Sequence, residues 1–153
     1  MTKKQQIIYL AGLVDGEGYV GVKKNNSVVR GGYCKNPTYH EIIQIRMIDE
    51  RAIAMFKKVF GGNYYKETEH SKYSKRPLYC YKATDLMAAN ALKILLPYLL
   101  IKKQEALFCL ALRKSKQSKL AKRRGSSVGR QMNKRILNYR DGLWKKCKLL
   151  HKY

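Results

Sequence analysis

Acidic side chains are scarce in this chain of 153 residues. Asp and Glu together number 10 against 33 Lys and Arg, which leaves a formal net charge of +23 at pH 7. A solvated basic surface or an acidic membrane patch would each be compatible with some excess of positive charge. A charge of this size favours nucleic acid instead, because neutralising phosphates releases their counterions and drives binding.

Cysteine, histidine and long apolar runs are also in short supply. The four cysteines form no C-x-x-C pair and only three histidines are present, which argues against a zinc site and a disulfide scaffold and favours free thiols in a reducing compartment. No apolar stretch reaches the roughly 18 residues of a membrane helix. The apolar run near the N-terminus is short and is followed by charge, so we expect no signal peptide. We therefore predict a cytoplasmic protein, or one acting in an organelle or nucleoid of the host, with no membrane partner.

Hydrophobic periodicity predicts an α+β fold of the order α-β-β-α-β-β-α-α with a further basic helix. We expect an antiparallel four-stranded sheet with helices on one face. We assign residues 1–153 to one domain, with a core of about 5–112 and a basic extension of about 113–153. The predicted elements are a helix Ile7–Gly16, strands 18–30 and Tyr39–Ile48, a helix Glu50–Phe60 capped by Asp49 and ended by Gly61, a hairpin of strands 63–70 and 77–84, helices Asp85–Leu96 (capped by Asp85) and Leu100–Lys114, and a basic helix Arg130–Leu150.

The sheet face away from the helices is predicted to carry mixed hydrogen-bonding side chains. A strand of ten residues spans about 33 Å, close to one turn of DNA, so such a face could lie along a major groove and contact base edges. An ordinary solvated sheet face is the alternative, and the charge of the chain favours the groove. The candidate DNA-contacting residues are Lys23, Asn25, Gln44, Arg46, Lys66, Thr68 and Lys82 on this face, with Lys116 and Lys119 of the basic segment 114–124 contacting phosphates outside it.

The stretch LAGLVDGEG, Leu10 to Gly18, places two acids where a helix gives way to a strand. Gly12 and Gly16 are four residues apart, so they share one side of the helix and would let another backbone approach closely. A carboxylate at the DNA-facing end of the helix, such as Glu17, would repel phosphate unless a divalent cation lay between them. Mg²⁺ takes oxygen ligands of this kind, and carboxylate, Mg²⁺ and phosphate together are the components of a nuclease site.

This stretch resembles the signature of the LAGLIDADG homing endonucleases at seven of nine positions, counting Glu17 as acid for acid. The segment LLIKKQEA, Leu99 to Ala106, and the sequence GGNYY after an amphipathic helix are also similar to the family. The resemblance covers roughly residues 5–112 and includes a single motif. It therefore implies the branch that acts as homodimers.

The resemblance implies a site-specific, intron- or intein-encoded DNA endonuclease that cleaves both strands of a long, near-palindromic target. It has no small-molecule substrate. Glu17 and the Gly16 carbonyl would bind Mg²⁺, with Mn²⁺ as a substitute, and Lys102 would act in catalysis. Lys103 is a second choice for that role and a DNA contact. Asp15 would have a structural, helix-capping role. The dimer interface would use Leu10, Gly12, Leu13 and Gly16.

Met47 stands where many members carry a polar residue, so either Gln44 or Arg46 takes that role or the pocket works differently. The alternative function is a non-cleaving nucleic-acid binder on the same fold, either an RNA maturase that aids splicing or a DNA-binding regulator. A basic ribosomal or RNA-binding protein with a coincidental motif is a weaker third hypothesis, because a strand follows Glu17 directly.

Overall fold

A computed structural model describes residues 1–26, 28–29, 32–33, 36–67, 76–118 and 133–151. The predicted α+β class is confirmed. The elements are α1 (Lys3–Glu17), β1 (Gly18–Asn25), β2 (Val28–Val29), β3 (Gly32–Tyr33), β4 (Thr38–Met47), α2 (Glu50–Phe60), β5 (Tyr64–Glu67), β6 (Leu78–Thr84), α3 (Asp85–Leu95), a 3₁₀ turn (Leu96–Tyr98), α4 (Lys103–Gln117) and α5 (Lys134–Leu150).

The main sheet has four antiparallel strands in the order β1-β4-β6-β5, and β2 pairs with β3 in a separate two-stranded ribbon. Helices α1 to α4 pack on one face of the main sheet, and among the described residues no helix layer covers the other face, called the open face below. In the described ranges no helix is long and apolar enough to cross a membrane. The core between helices and sheet includes Leu10, Val14, Ile43, Ile45, Ile53, Phe56, Tyr81, Leu92, Leu95 and Leu112.

Helix α1 begins four residues earlier than its apolar pattern predicts. The Thr2 hydroxyl accepts from the Gln5 N–H and the Gln5 side chain accepts from the Thr2 N–H, a capping box that starts the helix before the apolar residues. Leu10, with Ala11 and Val14, is fully buried in the core of its own chain. The prediction that Leu10 lies at the surface of a dimer interface is therefore wrong, because this residue is on the inward side of the helix.

The start of α3 also differs from its prediction. Thr84 is the N-cap residue, and Asp85 lies inside the helix with a left-handed φ of 54°. Its carboxylate accepts hydrogen bonds from side chains instead of capping the helix: Lys116 Nζ donates to it at 3.0 Å, and His40 Nδ1 lies 3.0 Å from both oxygens. By contrast, α2 has the predicted bounds, the predicted Asp49 cap and Gly61 at its C-terminal cap.

Strand β5 is shorter than predicted, and its side chains face the other way. Tyr64 pairs with the buried Tyr81, so Tyr64 and Lys66 lie on the helix side of the sheet. Tyr65 and Glu67 lie on the open face. The predicted place of Lys66 on that face is therefore wrong, because a shift of one residue moves every side chain to the opposite side.

Glu41 of β4 is fully buried, and its carboxylate neutralises the charges of two basic side chains of α4. Arg113 Nη2 donates to its carboxylate at 3.0 Å and Lys116 Nζ at 2.7 Å. Lys116 also binds Asp85 at 3.0 Å, and only 19% of its side chain is exposed. The prediction that Lys116 contacts phosphate is wrong, since its charge is engaged inside the chain and α4 extends past it.

Helix α5 lies against α4 and along the free edge of β1. Lys24 of β1 donates to Asp141 at 2.6 Å and its ammonium lies 4.9 Å from the Trp144 ring centre. The Lys24 hydrogen bond is the main reason that the pKa of Asp141 is lowered to about 2. The Cys147 thiol forms a hydrogen bond with the backbone of Val22. Val22 lies two residues before Lys24, on the same side of β1. The basic C-terminal helix predicted from the sequence is thus a packed element of the fold.

Candidate functional site

Glu17 is the last residue of α1, and the strand β1 starts at the next residue. The turn is close: a Cβ on Gly18 would lie 2.6 Å from the carbonyl oxygen of Val14, so only glycine lets the chain leave the helix here. Glu17 is exposed and has no ion pair or side-chain hydrogen bond among the described residues. The acid is thereby held at the edge of the open sheet face.

An open groove of about 450 Å³ runs from Glu17 across β1, β4 and β6. Alternation along the paired strands brings three basic side chains onto this face, where they share the groove with a single acid. Its lining residues are Glu17, Gly18, Tyr19, Lys23, Ile42, Gln44, Arg46 and Lys82. Four of the sequence-predicted contacts, Lys23, Gln44, Arg46 and Lys82, therefore lie together with the predicted metal ligand.

Arg46 is held in place within this groove. Its Nε donates to Glu67 at 2.8 Å, and this hydrogen bond is the main reason that the pKa of Arg46 is raised. In the orientation that satisfies its hydrogen bonds, the Gln44 amide oxygen accepts from Nε and Nη2 of Arg46 at 3.2 and 3.1 Å. Met47 faces the core instead. A polar side chain at this end of the groove thus comes from Gln44 or Arg46.

A second, smaller concavity continues the groove toward the far end of β1. It is lined by Lys23 and Asn25 together with His40, Thr84 and Asp85. The predicted contact Asn25 therefore lies on the same face, beyond Lys23. Thr68 and Lys119 fall outside the described residues.

Asp15 connects α1 to the beginning of α4. Its carboxylate accepts from the Leu100 N–H at 2.7 Å and from the Lys102 N–H at 2.9 Å. The predicted structural role is present, but Asp15 caps the approach to α4 and does not end its own helix. The hydrogen bonds tie the backbone of Lys102, the N-cap residue of α4, to the motif helix next to Glu17. Lys103 is exposed one residue further on.

The outward side of α1 is a stripe of glycine and apolar residues. A Cβ on Gly12 or on Gly16 would meet nothing within 4 Å. Ile8 and Tyr9 on the same side are 46% and 44% exposed, and Leu13 at its margin is half-buried. Glycine in a helix costs about 1 kcal/mol relative to alanine, and no contact within the described chain accounts for these two.

The end of α1 offers oxygen ligands that suit a hard divalent cation. The last carbonyls of a helix, including that of Gly16, have no intrahelical partner, and the negative end of the helix dipole adds to the Glu17 carboxylate. Mg²⁺ and Ca²⁺ prefer such oxygen ligands. The described residues contain no group of three or more His, Cys, Asp or Glu side chains that could hold a metal.

Three residues near the groove were missed by the sequence argument. Glu67, Cys80 and His151 contact Arg46, Gln44 and Tyr19, respectively. Placing the aromatic Tyr64 in the core would have put Glu67 on the open face. No local signal indicates His151, because 132 positions separate it from Tyr19.

Comparison of the sequence with protein-family models and with curated proteins gave no match. Comparison of the structure did. The homing endonuclease I-CvuI, in complex with the I-CreI target, is similar with a TM-score of 0.74 and 17% identity over 99% of this chain and 85% of that one. The archaeal intron-encoded homing endonuclease I-Vdi141I, complexed with DNA, gives a TM-score of 0.58 and 13% identity over 93% and 98% of the two chains. The LAGLIDADG homing endonuclease I-GzeII, with its DNA target, gives 0.60 and 16% over 88% and 43%.

These likenesses cover 99%, 93% and 88% of this chain, and they agree with the motif at the end of α1. At such identities they establish the arrangement of the backbone. The chain has the fold of the LAGLIDADG homing endonucleases.

Proposed function

We propose that this protein is a site-specific, divalent-metal-dependent DNA endonuclease that acts as a homodimer. The observation that carries the proposal is the position of Glu17, the single acid that lines a groove together with Lys23, Arg46 and Lys82. The fold is shared with homing endonucleases solved in complex with DNA. Without a cation, a carboxylate there would weaken phosphate binding. With one, the carboxylate would serve as an oxygen ligand of the ion.

The shape of the open face supports double-stranded DNA as the substrate. Strand β4 has ten residues, a length of about 33 Å, which is close to the 34 Å of one helical turn. Gln44 and Arg46 offer the donor and acceptor groups that distinguish base edges in the major groove, and the lysines offer phosphate contacts. One subunit would thus cover about one turn, and two would cover a near-palindromic target.

The chemistry divides between the cation and this chain's residues. Structures of I-CvuI were determined with Mg or with Ca, and we expect Mg²⁺ to serve here, with Mn²⁺ as a substitute. When bound, the ion supplies Lewis acidity toward the scissile phosphate and lowers the pKa of water. Glu17 and the Gly16 carbonyl would hold it, and Lys102, whose backbone N–H is bound by Asp15, would stabilise charge on the phosphate.

The proposal is tested by cleavage selection on a randomised DNA library. With Mg²⁺ present, sequencing of the cut products should yield one near-palindromic site of about two helical turns. With EDTA in place of Mg²⁺, no product should appear. If no sequence is cut in the presence of Mg²⁺ or Mn²⁺, the endonuclease proposal fails.

The homodimer is tested at the outward stripe of α1. Gly12→Leu should weaken dimer formation by about 5- to 150-fold, because overpacking a close helix contact costs about 1–3 kcal/mol. Since a Cβ at position 12 meets nothing within 4 Å in its own chain and leucine favours helix, the isolated fold should not lose stability. Sedimentation and thermal unfolding at matched concentrations measure the two effects separately.

Gly18→Ala is the contrasting variant. Its methyl group would lie 2.6 Å from the Val14 carbonyl oxygen, so we expect a loss of thermal stability even in dilute, monomeric protein. A Gly12→Leu protein that dimerises as tightly as the wild type would contradict the proposed interface.

A further inference from the structure

The chain reaches the rim of the groove a second time, at the end of α5. His151 follows this helix, and its ring centre lies 4.7 Å from that of Tyr19, with an angle of 35° between the rings. His151 Nε2 lies 3.1 Å from the Val20 carbonyl oxygen. A carbonyl only accepts hydrogen bonds, so Nε2 carries the proton and donates it. The imidazole is thus oriented by the backbone of β1 while its ring packs against Tyr19.

Gly21 provides the room for both rings. A Cβ at this position would lie 3.0 Å from His151 Cε1 and 3.1 Å from the Tyr19 hydroxyl oxygen, which is tighter than ordinary van der Waals contact. The two rings therefore occupy the space that the side chain of any other residue at position 21 would need. The hydroxyl end of Tyr19 is confined by the same arrangement.

Tyr19 is also part of the candidate active site. It lies two residues after Glu17, lines the same groove and remains 42% exposed. Its phenol hydroxyl can donate a hydrogen bond. Tyrosine hydroxyls are common donors to DNA phosphates.

The helix that delivers His151 is firmly attached to the same strand. Asp141 of α5 accepts from Lys24 at 2.6 Å and from the Tyr39 hydroxyl at 2.9 Å. Trp144 packs beneath the Lys24 ammonium. The helix that precedes His151 is therefore held by contacts with both β1 and β4.

We propose that His151 is a positioning residue that holds the Tyr19 hydroxyl at the rim of the groove, where it donates to an oxygen of the scissile phosphate beside Glu17. This inference rests on the proposed endonuclease function. It gives the C-terminal helix a part in the reaction, because a single imidazole packs against a residue that lines the groove.

The test measures single-turnover cleavage of the selected target with Mg²⁺ and binding of the same DNA with Ca²⁺. Tyr19→Phe and His151→Ala should each slow cleavage by about tenfold, the rate equivalent of one hydrogen bond to a charged group. Binding should change by less than about threefold, because the contact strengthens as charge develops on the phosphate. The double variant should be no slower than Tyr19→Phe alone, because His151 acts only through Tyr19.

Leu149→Ala is the matched control, since this exposed side chain lies two residues before His151 and outside the groove. It should cleave like the wild type. His151→Ala cleaving at the wild-type rate, or rate losses that multiply in the double variant, would overturn the inference while the endonuclease function stands. A wild-type protein that cuts no DNA would overturn both.

Discussion

Glu17→Gln should abolish cleavage while leaving DNA binding intact. Removing the carboxylate from the groove removes the charged ligand of the cation, whose stabilisation of the transition state is worth several kcal/mol. A loss of about 4 kcal/mol corresponds to about a 10³-fold lower rate. Single-turnover cleavage with Mg²⁺ measures this loss, and a gel-shift titration without a divalent cation measures affinity. Removing a negative charge from a groove lined by Lys23, Arg46 and Lys82 should leave this affinity unchanged or slightly higher.

Glu50→Gln is the matched control for this change. Glu50 is an exposed acid at the start of α2 that accepts from the Tyr64 hydroxyl at 2.9 Å. Glutamine can keep that hydrogen bond, and the residue is not in the groove. We expect its cleavage rate to match that of the wild type. Cleavage by Glu17→Gln within about tenfold of the wild type would show that this carboxylate is not the metal ligand, because a charged ligand is worth more than one tenfold step.

Glu41→Gln should cost about 3 kcal/mol of unfolding free energy. Removing one partner of a buried ion pair leaves the opposite charge uncompensated, a loss of about 3–5 kcal/mol. The lower end applies because Asp85 still pairs with Lys116 and because 14% of the Arg113 side chain and 19% of the Lys116 side chain remain exposed. Chemical denaturation measures the loss, and the melting temperature should fall by about 6–12 °C.

Lys145→Ala gives the comparison for an exposed pair. Lys145 Nζ lies 3.0 Å from Asp141 on the next turn of α5, and 67% of the lysine side chain is exposed. A pair of this kind contributes about 0.3–0.5 kcal/mol. The two ion pairs are similar in length and differ in burial. Equal losses of unfolding free energy in the two variants would mean that Glu41 is solvated in the folded protein, which would contradict its position in the core.

Features governed by local sequence were predicted well. Helix α2 has both of its end signals in the chain, Asp49 before it and Gly61 after it, and its amphipathic spacing points one side to the core. The alternation along β1 and β4 correctly grouped Lys23, Gln44 and Arg46 with Glu17. In these elements the apolar residues by themselves determine which side faces inward.

Features that depend on distant partners were predicted poorly. Strand β5 has four residues, and the pairing of Tyr64 with Tyr81 determines its orientation, which reversed Lys66 and Glu67. Asp85 was predicted to cap α3 because it precedes an apolar run. Its carboxylate instead accepts a hydrogen bond from Lys116, 31 residues away. Glu41 is buried only because Arg113 and Lys116 come to it from α4. Nothing in the strand's own sequence indicates that contact.

The position of α5 along β1 also determines where the sheet ends. β1 is an outer strand of the sheet, and an outer strand presents unpaired backbone groups that can template the strand of another molecule. Here the imidazole of His151 donates a hydrogen bond to the Val20 carbonyl. The body of α5 packs along the rest of β1. The same helix that reaches the groove therefore keeps the sheet from growing. A shortened protein that lacks it would be prone to associate edge to edge into open-ended aggregates, instead of stopping at a closed pair of subunits.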